Sequence, residues 1–285
     1  MGEISKRTWR PPQALGWAVR RTRELADPWI PDGPDDDADV PGPLPPRRLR
    51  ARAGAAGGRA FWEGGRRTAM ELARLLADAG GADIATLGSA LDFGCGAGRV
   101  LPHFARLVPA CACIGCDIDE TAVQWAARSH PRLGWSLTSF HPPLPYEPER
   151  FELIYAAGVF SHFDRGLAAL WLDELTRVLT PGGIALLSVH GAHAFDAFRE
   201  GQVPTSWCAP GAFARGPLRD DEHVFAPYVR SFWNDGELPG VGRGYGLAFQ
   251  GAGHARRAWP RSLQVVEVRE RALNDWQDVV ICRKC

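Results

Sequence analysis

Apolar and polar positions divide the chain into stretches with a period and stretches without one. From Phe61 onward a helical or strand-like rhythm is legible; in the first 58 residues it is not. Leu72, Leu75, Leu76 and Ala79 stand at i, i+3, i+4 and i+7, which puts them on one helical face. Gly80-Gly81 predicts where that helix stops. Short apolar runs bounded by turn residues predict strands at 87–93, 112–116, 133–138, 151–156 and 184–189. Helices are predicted between them at 99–107, 120–128 and 165–179. In the last, Leu167, Leu170, Trp171, Leu175, Val178 and Leu179 form an apolar stripe. Asp164 is placed to cap its start, and Thr180-Pro181-Gly182-Gly183 to end it. Strand–helix alternation of this kind predicts βαβ units: an α/β fold with a mostly parallel sheet and helices on both faces. Two further strands, at 263–268 and 278–283, are spaced for an antiparallel hairpin through Asn274.

Two segments fall outside the rhythm. Residues 1–58 hold an acidic stretch (31–40), a proline cluster (41–46), the basic run RRLRAR (47–52) and GAAGG (54–58). Proline and charge oppose a packed core, so this segment is predicted to be a flexible N-terminal arm. Residues 192–245 are rich in Gly, Pro and aromatics. A structureless loop of that length is uncommon inside a compact domain, so a cap with short elements of its own is expected. Its Phe195, Phe198, Trp207, Phe213, Phe225, Tyr228, Phe232 and Trp233 suit either an acceptor pocket or a small core of the cap itself. The division that follows is arm 1–58, core 59–191, cap 192–245, and 246–285 as strands completing the core sheet.

Composition narrows the function. Lys+Arg and Asp+Glu number 33 each in 285 residues, so there is no basic surplus for phosphates, and nucleic acid is not an expected partner. No apolar run approaches the length needed to span a bilayer, and no membrane partner is expected. Seven cysteines, one inside a glycine loop, argue against a disulfide framework and for a cytoplasmic setting. Cys111, Cys113 and Cys116 straddle a strand whose side chains alternate between faces, so no metal site is expected there.

The sharpest motif is LDFGCGAGRVLPHF (91–104): a strand ending at Asp92-Phe93, then Gly94, Gly96 and Gly98, then a helix. Glycines let the backbone approach a ligand closely, and the helix start offers free N–H groups. The next strand ends on Asp117 within CDID. A carboxylate there can accept both hydroxyls of a ribose, so an adenosine-bearing cofactor is expected across the strand ends.

With PPLPYEPERFELIYAAGVFSHF (142–163) and ELTRVLTPGGIALLSVHG (174–191), these motifs make the chain resemble the class I S-adenosylmethionine-dependent methyltransferases, most strongly over about 65–191. The resemblance implies a Rossmann-like sheet of seven strands with the last antiparallel, and S-adenosyl-L-methionine as cofactor. It implies that Asp92 and the loop Gly94, Cys95, Gly96, Gly98 and Arg99 cradle the methionine end. Asp117 would hold the ribose and Ile118 would face the adenine. Where the family often places an Asp for the adenine amine, this chain has Thr138, Ser139 and Phe140. Ala157 and Gly158 would border the methyl group. Three histidines follow strand ends, His162, His190 and His193, and each is a candidate base for a hydroxyl acceptor. The Asn/Asp-Pro-Pro-aromatic clamp of many DNA and amide methyltransferases is absent, as is a Pro-Cys nucleophile. The expected reaction is methylation of a small-molecule acceptor, at oxygen rather than nitrogen. The competing readings are a nicotinamide-dependent oxidoreductase and a non-catalytic S-adenosylmethionine-binding protein.

Overall fold

The computed structural model describes residues 40–53, 57–80, 84–203, 208–228 and 244–285. Most of the N-terminal arm, and Trp207, Phe232 and Trp233 of the cap, lie outside these.

Seven strands form one sheet in the order β3-β2-β1-β4-β5-β9-β8. They are β1 (Ser89–Phe93), β2 (Ala112–Asp117), β3 (Gly134–Leu137), β4 (Phe151–Ala156), β5 (Leu179–Val189), β8 (Leu263–Leu273) and β9 (Gln277–Lys284). The first five are parallel, and β9 runs antiparallel to both β5 and β8. The two faces explain the continuous apolar runs. Leu153 and Tyr155 of β4 point into one core, Ile154 and Ala156 into the other. A strand covered on both faces needs apolar residues at nearly every position, and in β4 only Glu152, near its start, is exposed.

The core of Ile154 and Ala156 is closed by helix α5 (Arg165–Val178) and helix α7 (Ala252–Ala258), that of Leu153 and Tyr155 by α2 (Gly58–Gly80) and α3 (Leu101–Leu107). On α2, Leu72, Leu75 and Leu76 are buried as their spacing requires. On α5, Asp164 caps the start, its Oδ1 accepting the Leu167 N–H at 2.8 Å. Leu167, Trp171, Leu175 and Val178 are buried, but Leu170 is 51% exposed and lies off the stripe. Helix α4 (Glu120–Ser129) starts under an Asp119 cap and leans on β2 and β3.

The structure departs from the sequence reading at three places. Thr180-Pro181-Gly182-Gly183 does not precede β5 but lies inside it. Phe151 pairs with Leu179 and Leu153 with Ile184, so the segment bulges out of the ladder, with Gly182 at φ +75°. Residues 246–250, expected to help complete the core sheet, form β7 (Gly246–Gln250) instead. β7 pairs antiparallel with β6 (His223–Pro227) in a separate two-stranded sheet. With α6 (Ala192–Arg199) that sheet encloses a third core of Phe195, Phe198, Phe213 and Phe249, into which Trp276 projects. Finally, part of the arm is docked: α1 (Arg47–Arg52) packs Leu49 against Ala97 and Ala122. No helix among the described residues is long and apolar enough to cross a membrane.

Candidate active site

A cleft of about 150 Å³ opens over the carboxyl ends of β1, β2 and β4. Its floor is the glycine loop. The Gly94 and Cys95 N–H groups donate to the Cys116 carbonyl at 2.8 and 3.0 Å, which ties the loop to the end of β2. The Gly96 N–H donates to Asp117 Oδ2 at 2.7 Å, and the Asp119 N–H to Oδ1 at 2.8 Å. A carboxylate has about four acceptor positions, so both oxygens retain capacity for ligand hydroxyls. Gly96 has φ +53°, and a Cβ built there meets no protein atom within 4 Å. The loop therefore presents bare backbone to the cleft. At Gly94, by contrast, a Cβ would collide with Val159.

Charge is arranged along the cleft. Asp92 is 2% exposed, and burial pushes its carboxyl up to about 7. The Tyr155 hydroxyl and the Arg99 guanidinium act against that rise, while the Asp117 charge adds to it. Burial also pushes Asp117 up to about 6, opposed by the N–H groups it accepts. Asp92 and Arg99 line the same cleft with opposite charges, which matches the ammonium and carboxylate of an amino-acid moiety. Asp117 lines the same cleft with acceptor capacity to spare, and Ile118 and Phe140 supply apolar walls. In charge and polarity these residues fit the amino-acid and ribose parts of S-adenosylmethionine.

Of the residues expected to bind the cofactor, Asp92, Gly94, Cys95, Gly96, Arg99, Asp117, Ile118, Ser139, Phe140, Ala157 and Gly158 line the cleft. Gly98 does not; a Cβ there would sit 2.8 Å from the Trp135 ring, so this glycine serves packing behind the loop.

The structure separates the three histidines. His162 lines the cleft. Its Nδ1 lies 3.0 Å from the Gly246 carbonyl oxygen and 3.0 Å from the Tyr228 hydroxyl, and Tyr245 stacks on its ring at 5.3 Å. A carbonyl only accepts, so in the tautomer that satisfies Gly246 the proton is on Nδ1 and Nε2 is the basic nitrogen; in the other tautomer Nδ1 accepts from the Tyr228 hydroxyl. His190 is instead packed in the third core, its ring 5.2 Å from Phe249. His193 stands edge-on to Trp276 at 5.7 Å. Neither lines the cleft. All three follow strand ends in sequence, but only the turn after β4 faces the cofactor side.

Sequence reasoning missed Leu49, Arg52 and Ala53 of the arm and Asn274 and Gln277 of the β8–β9 hairpin, all of which line the cleft. No local motif marks them, because contacts across the whole fold bring them there.

Comparison with known proteins finds methyltransferases. Residues 90–183 match the family model described as a methyltransferase domain. The malonyl-[acyl-carrier protein] O-methyltransferase of Legionella pneumophila is 29% identical over 126 residues, covering 44% of this chain and 42% of that protein. The tRNA (carboxymethyluridine(34)-5-O)-methyltransferase of Arabidopsis thaliana is 29% identical over 135 residues, covering 45% of this chain and 32% of that protein. The chain thus spans less than half the length of these curated relatives. Among solved structures, the PH0226 protein of Pyrococcus horikoshii shares the fold with a TM-score of 0.52 at 14% identity, covering 76% of this chain and 89% of that one.

Proposed function

We propose that this chain, a member of the class I S-adenosylmethionine-dependent methyltransferases, transfers the cofactor's methyl group to a hydroxyl of a small-molecule acceptor, with His162 as the general base. One observation carries the reading. Of the three candidate histidines, His162 alone lines the cleft, and in the tautomer that donates from Nδ1 to the Gly246 carbonyl its basic nitrogen is Nε2. Both curated relatives bear names of O-methyltransferases, which supports oxygen as the acceptor atom. The Arabidopsis relative is named for a tRNA, but this chain balances 33 basic against 33 acidic residues and has no surplus to neutralise a polyanion.

The cofactor supplies a methyl group on a positively charged sulfur, open to in-line attack. The chain's own residues bind and orient. Asp92 and Arg99 take the amino-acid end, Asp117 the ribose, and Ile118 and Phe140 flank the adenine. His162 accepts the hydroxyl proton as the oxygen attacks, while its Nδ1–H stays on the Gly246 carbonyl. Tyr245, stacked on that imidazole, keeps the ring plane fixed.

The test is methyl transfer from labelled S-adenosylmethionine to a panel of alcohols and phenols, with S-adenosylhomocysteine affinity measured in parallel. His162→Gln is expected to bind S-adenosylhomocysteine normally and to lose roughly 10²–10⁴-fold in turnover. Undiminished turnover would remove His162 as base, and transfer only to amines or to tRNA would remove the acceptor class.

A further inference from the structure

Helix α1 lies outside the matched methyltransferase domain, in a segment whose composition predicts a loose arm, yet it is built into the cleft. Leu49 is 2% exposed and packs on Ala97 of the glycine loop and Ala122 of α4. Arg50 is 4% exposed, its Nη1 donating to the Pro45 carbonyl at 3.0 Å, which fixes the proline cluster to the helix. Arg52 forms an ion pair with Asp119, and both side chains are nearly covered, at 11% and 5% exposure. Leu49, Arg52, Ala53 and Asp119 all line the cleft.

We propose that α1 is part of the cofactor site: Leu49 and Ala53 wall its adenosine end, and Arg52 is a positioning residue that neutralises Asp119 beside the ribose-holding Asp117. The proposal rests on the S-adenosylmethionine reading of the cleft and adds to it an element from outside the matched domain.

The reasoning is electrostatic. Asp119 stands two residues beyond Asp117, and its N–H is held by Asp117 Oδ1. Its own Oδ1 accepts the Ala122 N–H at 3.1 Å, so the carboxylate cannot swing away without uncapping α4. Its negative charge disfavours ionisation of Asp117. Asp92 on β1 and the thiols of Cys95 and Cys116 also face Asp117 and share the penalty of a second charge there. Arg52 matches the Asp119 charge from α1. A nearly covered pair of this kind is little screened by solvent, and leaving one partner uncompensated is costly. Without Arg52, Asp117 would hold its proton to higher pH and could no longer accept two ribose hydroxyls.

The test uses the full chain and S-adenosylhomocysteine as probe, with affinity measured by calorimetry between pH 5 and 8. Wild-type affinity should fall as pH drops through about 6, where Asp117 takes up a proton. Arg52→Ala should move the midpoint upward by about one pH unit, which weakens binding less than about twofold at pH 7 but about tenfold at pH 5, where Asp117 is mostly protonated in both proteins. Arg52→Ala/Asp119→Asn should recover most of the affinity and return the midpoint, since Asn keeps the α4 cap and removes the stranded charge. Wild-type affinity in Arg52→Ala would overturn the proposal. So would a double variant as weak as the single one with an unmoved midpoint, because that would mean plain packing. Failure of the wild type to bind S-adenosylhomocysteine at any pH would instead overturn the cofactor reading beneath it.

Discussion

At the scale of single residues, the cleft trades stability for binding, and Asp92 shows the sign. An unfolded Asp loses its proton near pH 3.9, whereas burial holds the folded Asp92 protonated up to about 7. Between those values the folded chain binds more protons than the unfolded one, so this group's contribution to stability falls as pH rises and levels off above about 7. Asp92→Asn removes the cost. At pH 8 the variant should be more stable in thermal melts, by up to about 4 kcal/mol from a three-unit shift, with the gain shrinking toward pH 4. The same variant should bind S-adenosylhomocysteine more weakly, having lost the partner for its ammonium. A stability gain that does not depend on pH would contradict the assignment. Gly96→Ala separates binding from folding in another way. The new Cβ meets no protein, so the fold should lose only the roughly 1–2 kcal/mol of a left-handed non-glycine residue. The cofactor should lose its place, because the Cβ would stand in the cleft. Calorimetry and denaturation on one sample check both. Gly96 and Asp117 were legible in the sequence because strand, turn and helix lie within a few residues of each other. His162 was not distinguishable from His190 and His193, because a strand end fixes where a side chain leaves the sheet but not what packs over it.

At the scale of elements, the sequence is legible wherever one local device fixes the boundary. Asp164 starts α5 through its carboxylate, and Asp164→Ala should cost about 1 kcal/mol in urea unfolding, with Asp164→Asn nearly neutral. Equal losses in both variants would mean that Asp164 acts through its charge rather than as a cap. The bounds of β4 follow directly from its apolar run, because both faces are covered. Long-range pairing decides the rest. The Pro181-Gly182-Gly183 turn reads as a break, but β4 carries its ladder past the bulge and recruits Leu179 into β5. β7 falls in the segment expected to complete the core sheet, but that sheet already has β9 beside β5, and β7 pairs with β6 instead. Helix α1 reads as arm because two basic residues flank each apolar one. Its docking depends on a single leucine and an acidic partner 67 residues away.

At the scale of the whole molecule, the parts are joined by side chains that cross between cores. The cap was expected to stand as a separate insertion, with its aromatics either lining a pocket or filling a core of its own. Phe195, Phe198 and Phe213 pack into a core there, joined by Phe249 of β7. Trp276, 2% exposed, reaches into that core from the β8–β9 hairpin, where Asn274 and Gln277 line the cleft. Asn274 is in turn held by α2, its N–H on Glu71 Oε2 at 3.0 Å and its amide on Thr68 Oγ1 at 3.2 Å. One turn therefore touches α2, the cap core and the cofactor cleft. Losing a buried tryptophan of this kind typically costs about 3–5 kcal/mol. The placement of Trp276 makes a sharper expectation than the size of the loss. In the wild type, tryptophan fluorescence and far-ultraviolet circular dichroism should report one coincident unfolding transition. In Trp276→Ala the cap core loses its link to the sheet, and the two probes should separate, the cap melting first. Affinity for S-adenosylhomocysteine should change little at temperatures below that first transition, because the glycine loop and Asp117 are held by the end of β2 rather than by Trp276. Coincident transitions in the variant would mean that the β6–β7 sheet is tied to the core chiefly through His190, whose carbonyl accepts the Gln250 N–H at the end of β5.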